Sequence, residues 1–236
     1  MIKENKKVLI LTGDGINCES ETAYAFNKVG FETEIKHLND VMEQKITQNQ
    51  LVEKYKVVAL PGGFSFGDHL SSGNVLSLKI KNGLGWNFNE YAKQGGLVLG
   101  ICNGFQALIR LGVFGENVSI THNDSGEFIN RWVKVSVSGD SPWLKGIDAL
   151  DLPVRHAEGK VVFDQSSSDA LSVGLRYQIN PNGSYDSIAG LCDQTGRILG
   201  LMPHPEAFIR SNSHPQFKHN SKLGLSIFQN AFEECL

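Results

Sequence analysis

The sequence predicts an α/β protein: an open, mostly parallel sheet flanked by helices, with extra β-rich segments in its second half. In residues 1–112, short apolar runs alternate with segments of helical periodicity. This alternation is typical of a parallel sheet that is covered on both faces. Over residues 119–201 the apolar runs are shorter and follow one another across turns, which indicates additional strands.

The elements of the first half follow from apolar runs and from helix start and stop signals. They are a strand at 6–13, a helix at 20–30, a strand at 31–38, a helix at 47–55, and strands at 56–63 and 96–102 followed by a helix at 103–112. Ser20 is the expected N-cap of the first helix, and Gly30 its C-terminal stop.

The second half is predicted to be mainly strands. These are RWVKVSV at 131–137, GKVVF at 159–163, SIAGLC at 187–192 and RILGLM at 197–202. An amphipathic helix at 221–235 ends the chain, since its apolar residues recur near helical spacing. No boundary is visible, so a single domain over 1–236 is expected.

Composition narrows the classes of function. The 236 residues carry a formal net charge of −3, which gives no reason to expect nucleic acid or an anionic membrane as a partner. No apolar run approaches the ~18 residues of a membrane span, and no signal-peptide core is visible, so a cytoplasmic location is expected. The four cysteines are far apart and form no CxxC pair, so neither a disulfide framework nor a metal site is expected.

A cysteine between two glycines is the first candidate for chemistry. Gly100-Ile101-Cys102-Asn103-Gly104 follows a predicted strand and precedes a predicted helix. This is the G-x-nucleophile-x-G pattern of a nucleophile elbow, where a strained turn holds the nucleophile at the carboxyl edge of a sheet. The helix N-terminus favours a thiolate, and the Asn103 N–H points toward an oxyanion. The alternative is a core cysteine whose glycine neighbours serve packing only.

A thiol nucleophile needs a base, and the base needs a group that orients it. His204 and Glu206 lie two residues apart after an apolar run. His204 stands between Pro203 and Pro205, and Glu206 follows Pro205. In extended backbone, residues i and i+2 share a face, so Glu206 would hold one imidazole nitrogen while the other faces the thiol. The alternative is a rigid surface turn with a solvated histidine and glutamate.

A glycine-rich loop supplies the third piece. It is LPGGFSFGDHLSSG at 60–73, directly after a predicted strand. Gly62 and Gly63 allow a backbone N–H to approach a ligand closely, which suits a second oxyanion donor. The alternative is a loop without a ligand. Cys18 also follows a strand and is a rival nucleophile, but it lacks the flanking glycines and is expected to serve a structural or loop role.

Together these segments resemble the class I, triad-type glutamine amidotransferases, whose fold is flavodoxin-like, and within them the branch that serves purine synthesis. The segments that carry the resemblance are GDGINCESETAYAF at 13–26, ALPGGFSFGDHLSSG at 59–73, LGICNGFQALIRLGVF at 99–114, HNDSGEFINRWVKV at 122–135, LPVRHAEGKVVF at 152–163 and NPNGSYDSIAGLCDQTGRILGLMPHPE at 180–206. The elbow and the HPE motif belong to all triad amidotransferases, whereas GICNGFQ, HAEG and NPNGS indicate the purine branch.

The resemblance implies a role for each matching residue. The implied catalytic residues are Cys102 as nucleophile, His204 as general acid and base, and Glu206 as its orienter. Gly63 and Asn103 are implied as backbone oxyanion donors, and Gln106, Arg131 and Trp132 as residues of the glutamine pocket.

The resemblance also implies a reaction and a partner. L-glutamine would be hydrolysed through a cysteinyl thioester, and the ammonia would pass to a synthetase subunit that uses ATP and Mg. This chain itself is expected to hold no cofactor, since it has no GxxxxGK[ST] phosphate loop. A small third subunit is left open. So is another function on the same scaffold, a stand-alone Cys-His-Glu hydrolase of γ-glutamyl, peptide or ester bonds.

The chain departs from the family pattern at two places. Ala207 follows HPE where the family often has arginine, which bears on the partner contact or the substrate mouth rather than on the triad. The loop TGDGIN at 12–17 stands where a PGSN-like loop is expected, and nothing in the sequence explains the difference.

Overall fold

The computed structural model describes residues 6–164, 171–216 and 222–236. Its central feature is a nine-stranded sheet. The strands are β1 Lys7–Thr12, β2 Glu32–His37, β3 Val57–Leu60, β4 Leu97–Ile101, β5 Val118–His122, β6 Ile129–Val137, β7 Ala149–His156, β8 Glu158–Phe163, β9 Val173–Tyr177, β10 Ile188–Cys192 and β11 Ile198–Leu201. The α-helices are α1 Glu19–Val29, α2 Leu38–Glu43, α3 Gln48–Lys54, α4 Asn74–Lys79, α5 Phe88–Lys93, α6 Asn103–Arg110 and α7 Leu225–Glu233, and a π-helical turn at Ile80–Leu84 follows α4.

The sheet has a parallel half and an antiparallel half. Its strand order is β2-β1-β3-β4-β11-β10-β9-β6-β7. The pairs from β2 to β11 are parallel, and the pairs from β11 to β7 are antiparallel. Strands β5 and β8 form a separate antiparallel pair. The carboxyl ends of β3, β4 and β11 therefore lie side by side, which is where open α/β sheets bind ligands.

Two hydrophobic cores cover the two faces of the parallel half. In β1, Val8 and Ile10 join one core, and Leu9 and Leu11 join the other. Phe26 of α1 and Phe228 of α7 pack edge to face in the first core, with ring centroids 4.8 Å apart. The second core takes its helical side chains from α2, α3, α4, α5 and α6. The unbroken apolar runs of β1, β3, β4 and β11 follow from this, since both faces of these strands are buried.

The structure confirms the predicted fold class, including the β-rich second half. The predicted start of α1 was wrong: Cys18, not Ser20, occupies the N-cap position, while Gly30 ends the helix in the left-handed region as expected (φ 110°). Helices α2, α4 and α5 and strands β5, β7 and β9 were not predicted. The expectation of a single domain over 1–236 stays a prediction. Among the described residues, no helix combines the length and apolar character needed to cross a bilayer.

Candidate active site

The Cys102 backbone is bent sharply between β4 and α6. Its φ of 50° and ψ of −102° lie in a region that non-glycine residues rarely occupy. The flanking glycines are required by close packing, because a Cβ on Gly104 would lie 1.9 Å from the Leu60 carbonyl oxygen and one on Gly100 2.5 Å from Leu108. The chain thus forms the predicted elbow, and it directs a 5% exposed thiol toward the Arg155 carbonyl oxygen, 3.6 Å away.

The His204–Glu206 pair is formed as expected, although by a different backbone from the one predicted. His204 is extended, but Pro205–Ala207 forms a 3₁₀ turn rather than a continued strand. The turn brings His204 Nδ1 to 2.6 Å from Glu206 Oε1, with both side chains almost fully buried. A short, buried contact of this kind is a charge-assisted hydrogen bond that fixes both tautomer and ring orientation.

The electrostatics of the His204 ring favour its charged form. Burial opposes the charge, but the negative charges of Glu206 and Cys102 outweigh this effect, and the Cys18 sulfur adds to them. The pKa of His204 is therefore raised well above its usual value. An imidazolium beside the sulfur is the arrangement that a thiolate nucleophile requires.

The glycine loop after β3 lies directly on these groups. A Cβ on Gly62 would come within 2.8 Å of the His204 ring and 3.5 Å of Cys102 Cβ. Gly63 has a φ of 149° and forms a bridge with Ile16. This bridge is carried by the neighbouring Phe64 N–H and Asn17 N–H, so the Gly63 N–H takes no part in it. The roles of Gly63 and Asn103 as backbone oxyanion donors stay predictions.

Asn103 and Gln106 join the loop to the elbow helix through their side chains. Asn103 Oδ1 accepts from the Ser65 N–H at 3.2 Å, and its Nδ2 donates to Asp68 at 3.0 Å and to Gln106 Oε1 at 2.9 Å. Gln106 Nε2 in turn donates to the Glu158 carbonyl oxygen at 2.5 Å. Both ends of the Gln106 amide are thus bonded within the protein, and the side chain is 2% exposed. The implied contact between Gln106 and glutamine stays a prediction.

Arg131 and Trp132 lie on β6 with different surroundings. Arg131 is exposed, whereas Trp132 packs edge to face on Phe208, with ring centroids 5.2 Å apart. Phe208 follows the HPE turn closely in the chain, so Trp132 supports the segment that carries Glu206. The pocket roles implied for Arg131 and Trp132 also stay predictions.

Strand β7, which was not predicted from the sequence, contacts both Cys102 and His204 through its carbonyl groups. The Pro153 carbonyl accepts from the His204 N–H at 2.9 Å, and the Arg155 carbonyl accepts from the Cys102 thiol. His156 ends the strand and is gripped by Asn123, which accepts from His156 Nδ1 at 3.0 Å and donates to its carbonyl at 2.8 Å. Burial, with the charge of His204 adding to it, lowers the pKa of His156 to about 4. The HAEG motif that the sequence contains was the available signal for this strand.

The sequence also did not indicate that the Cys18 side chain lies close to His204 and Glu206. Its sulfur, a ring nitrogen of His204 and a carboxylate oxygen of Glu206 all lie within 4.8 Å of one another. The Cys18 thiol thus lies at the candidate site, and the structural or loop role expected for this residue stays a prediction.

This elbow, facing a histidine–glutamate pair at the carboxyl edge of a parallel sheet, is typical of triad glutamine amidotransferases. A family model described as a CobB/CobQ-like glutamine amidotransferase domain matches residues 5–234, so the chain belongs to this class. Two relatives bear the name phosphoribosylformylglycinamidine synthase subunit PurQ. One, from Methanococcus maripaludis, is 39% identical over 99% of this chain and 98% of its own length. The other, from Dehalococcoides mccartyi, is 40% identical over 95% of this chain and 96% of its own.

Solved structures agree with these relatives. The structure of PurLQS from Thermotoga maritima superposes with a TM-score of 0.79 at 30% identity and covers 96% of this chain and 97% of that one. A putative GMP synthase subunit from Thermoplasma acidophilum, at 16% identity and a TM-score of 0.62, supports the fold alone. The chain belongs to the family of phosphoribosylformylglycinamidine synthase subunit PurQ, and the resemblance to the purine branch is confirmed.

Proposed function

We propose that this chain is the glutaminase subunit of phosphoribosylformylglycinamidine synthase and that it hydrolyses L-glutamine through a thioester on Cys102. One observation carries the proposal. The strained elbow holds Cys102 beside Gly62 and next to the His204 ring, whose Nδ1 lies 2.6 Å from Glu206 Oε1. A glutamine amidotransferase needs these groups in this order, since the base must receive and return one proton in each half-reaction.

The chemistry follows from the positions of these groups. The Cys102 sulfur attacks the carboxamide carbon of glutamine, and the oxyanion that forms accepts hydrogen bonds from the Gly63 and Asn103 amides. His204 gives its proton to the departing ammonia, and Glu206 stabilises the ring while it is charged. Water then attacks the thioester, His204 takes its proton, and glutamate leaves. Loss of one oxyanion donor in such a site costs about 10²–10³ in rate.

The ammonia needs an acceptor outside this chain. We propose that it passes to a synthetase subunit that uses ATP and Mg to transfer it to formylglycinamide ribonucleotide in purine synthesis, in the cytoplasm. The support is the name that the relatives carry, together with the lack of a phosphate loop in the sequence. A small third subunit belongs to the same proposal and is tested by its co-purification with the assembled enzyme.

Alkylation by a reactive glutamine analogue tests the nucleophile. The chain holds four free cysteines, Cys18, Cys102, Cys192 and Cys235. A glutamine-like diazoketone, followed by peptide mass spectrometry, should label Cys102 stoichiometrically, and excess glutamine should protect it. Labelling of Cys18 in place of Cys102 would contradict the assignment.

The assembled enzyme provides the functional test. Cys102→Ala should abolish product formation from glutamine and leave product formation from ammonia intact, because the synthetase reaction does not use the thiol. Cys235→Ser, near the chain's end and remote from the elbow, is the matched control and should retain both activities. If the free wild-type chain cleaves glutamine as fast as the complex does, the stand-alone hydrolase would gain support over an amidotransferase that depends on its partner.

A further inference from the structure

Cys18 gives the candidate site a second thiol for which the proposed reaction has no use. Its sulfur, a ring nitrogen of His204 and a carboxylate oxygen of Glu206 form a group of three donor atoms, each within 4.8 Å of the other two. The residues come from two distant parts of the chain: Cys18 lies at the start of α1, and His204 and Glu206 lie in the HPE turn. Nothing in the hydrolysis of an amide requires the thiol at this place.

The backbone of Cys18 is fixed independently of its sulfur. Its N–H donates to the Gly62 carbonyl at 3.2 Å, and its own carbonyl accepts from the Thr22 N–H at 3.1 Å and the Thr22 hydroxyl at 2.7 Å. The sulfur donates to the Oδ1 atom of the neighbouring Asn17, at 3.3 Å. The residue is partly exposed, unlike His204 and Glu206, so the donor group can be reached from solvent on the Cys18 side.

Two buried polar atoms on the His204 and Glu206 side chains have no hydrogen-bond partner among the described residues. They are His204 Nε2 and Glu206 Oε2, on side chains that are 4% and 3% exposed. A buried polar atom without a partner costs about 1–3 kcal/mol, so both atoms have unused capacity to bind a ligand.

The donor set matches one class of ligand. A thiolate, an imidazole and a carboxylate are the three ligand types of zinc sites, with bonds of about 2.0–2.3 Å. Three atoms that are each within 4.8 Å of one another can reach such bond lengths by small side-chain rotations. Sulfur in the set disfavours magnesium and calcium, which prefer oxygen ligands alone.

We propose that Cys18, His204 and Glu206 form an inhibitory site for Zn²⁺. Binding displaces the thiol proton of Cys18 and one ring proton of the His204 imidazolium, both of which are released to solvent, and involves no change of oxidation state. The bound ion occupies the imidazole and the carboxylate, so His204 can no longer exchange its proton with ammonia or water. Inhibition rests on the proposed glutaminase function, whereas binding of the metal does not.

A cobalt titration tests the site without any activity measurement. In the Cys102→Ala background, Co²⁺ should produce the near-ultraviolet charge-transfer band of a cobalt–thiolate bond, and Zn²⁺ should displace it. Adding Cys18→Ser should abolish the band and weaken Zn²⁺ binding by more than the about 10–100-fold typical for loss of an outer-shell partner. Serine is a favoured N-cap residue, so this variant should keep α1 intact. A Cys102→Ala protein with Cys235→Ser is the matched control and should keep the band.

An inhibition assay on the assembled enzyme completes the test. Zn²⁺ should suppress the glutamine-dependent activity, a chelator should restore it, and the zinc concentration for half-inhibition should rise at least about tenfold in Cys18→Ser. Equal zinc affinity with and without Cys18 would overturn the proposal. If the chain has no glutaminase activity, the proposed function fails, and the cobalt band still decides whether the metal site exists.

Discussion

The charge state of His204 is set by two opposing effects at a single ring. Burial penalises the imidazolium, while the Glu206 carboxylate at 2.6 Å and the Cys102 sulfur stabilise it. The second effect prevails, and each unit by which the pKa rises corresponds to about 1.4 kcal/mol of preference for the charged form. In the proposed mechanism, Glu206 therefore orients the ring and also maintains the proton that the departing ammonia takes.

Replacing Glu206 by glutamine tests this dual role. Glu206→Gln keeps a hydrogen-bond acceptor but removes the negative charge, so the pKa of His204 should fall and the imidazolium be lost at neutral pH. Glutamine-dependent turnover should drop about 10²–10⁴-fold, the usual share of general acid–base catalysis. Steady-state kinetics of the assembled enzyme measure the loss, with ammonia-dependent turnover as the internal control. A loss under tenfold would argue against Glu206 as orienter.

His156 is the opposite case, a buried imidazole kept neutral. Its pKa is lowered from 6.5 to about 4, and Asn123 accepts its only ring proton. Between these two pH values the unfolded chain binds a proton that the native chain does not. Stability must therefore decrease as the pH falls through this window, by about 3 kcal/mol for a shift of this size.

His156→Gln should remove this part of the pH dependence. Glutamine can still donate to Asn123 but does not titrate. Urea unfolding at about pH 7 and about pH 4.5 should show the wild type losing about 2–3 kcal/mol more than the variant on acidification. Parallel losses in the two proteins would mean that His156 is protonated in the native state.

At the scale of elements, the elbow depends on how closely α6 approaches β3. Gly104, in the first turn of α6, packs against the Leu60 carbonyl at the end of β3 so closely that no side chain fits. Since backbone lies on the other side of this contact, the neighbour cannot rotate away. The close approach of Cys102 to the glycine loop is thus possible only because Gly104 has no side chain.

Gly104→Ala should therefore be far more damaging than an alanine at an open glycine. We expect it to cost more than about 3 kcal/mol of unfolding free energy, beyond the usual range of overpacking. Gly112→Ala is the matched control at the far end of α6, where a Cβ meets nothing within 4 Å and only the positive φ of 74° is strained. It should cost about 1–2 kcal/mol. Similar urea midpoints for the two variants would contradict this account of the elbow.

Elements with a local sequence pattern could be predicted from the sequence, whereas elements that depend on tertiary contacts could not. Strands β1, β3 and β4 are continuous apolar runs, and the elbow between glycines is recognisable from five residues. Strand β7 was missed because Pro153 and Arg155 interrupt its pattern. It is a strand because it pairs with β6 and because its carbonyls accept from His204 and Cys102.

Spatial neighbours that are distant in the chain set the rest of the site. Cys18 reaches His204 only because its N–H binds the loop after β3, a contact that no periodicity reveals. The HPE pair was predicted from extended geometry, but a 3₁₀ turn produces the contact. The pairing was thus predictable from the residue types and their spacing, whereas the backbone that achieves it was not.

At the scale of the whole molecule, the sheet links two cores through the same strands. Alternate residues of β1, β3 and β4 belong to opposite cores, as Val57 and Val58 do. Loss of either core exposes one face of β1, β3 and β4. The two cores should therefore unfold together, and this expectation tests the predicted single domain over 1–236.

Tryptophans on the two sides of the sheet allow this test. Trp143 lies in the first core and Trp86 in the second. Trp86→Phe leaves fluorescence from the first core, and the double change Trp132→Phe with Trp143→Phe leaves only Trp86. For each variant, the urea midpoint from fluorescence should coincide with that from far-ultraviolet circular dichroism. Separate midpoints within one variant would indicate two independent folding units.

The bent backbone at Cys102 links the proposed reaction to the stability of the fold. A residue held at φ 50° and ψ −102° costs about 1–3 kcal/mol, which the surrounding fold must supply. Glycine carries no such penalty, so Cys102→Gly should be at least as resistant to denaturant as Cys102→Ala, the reverse of the usual ranking of these two residues. A substitution that relieves the strain at this position would thus remove the sulfur on which the proposed thioester forms.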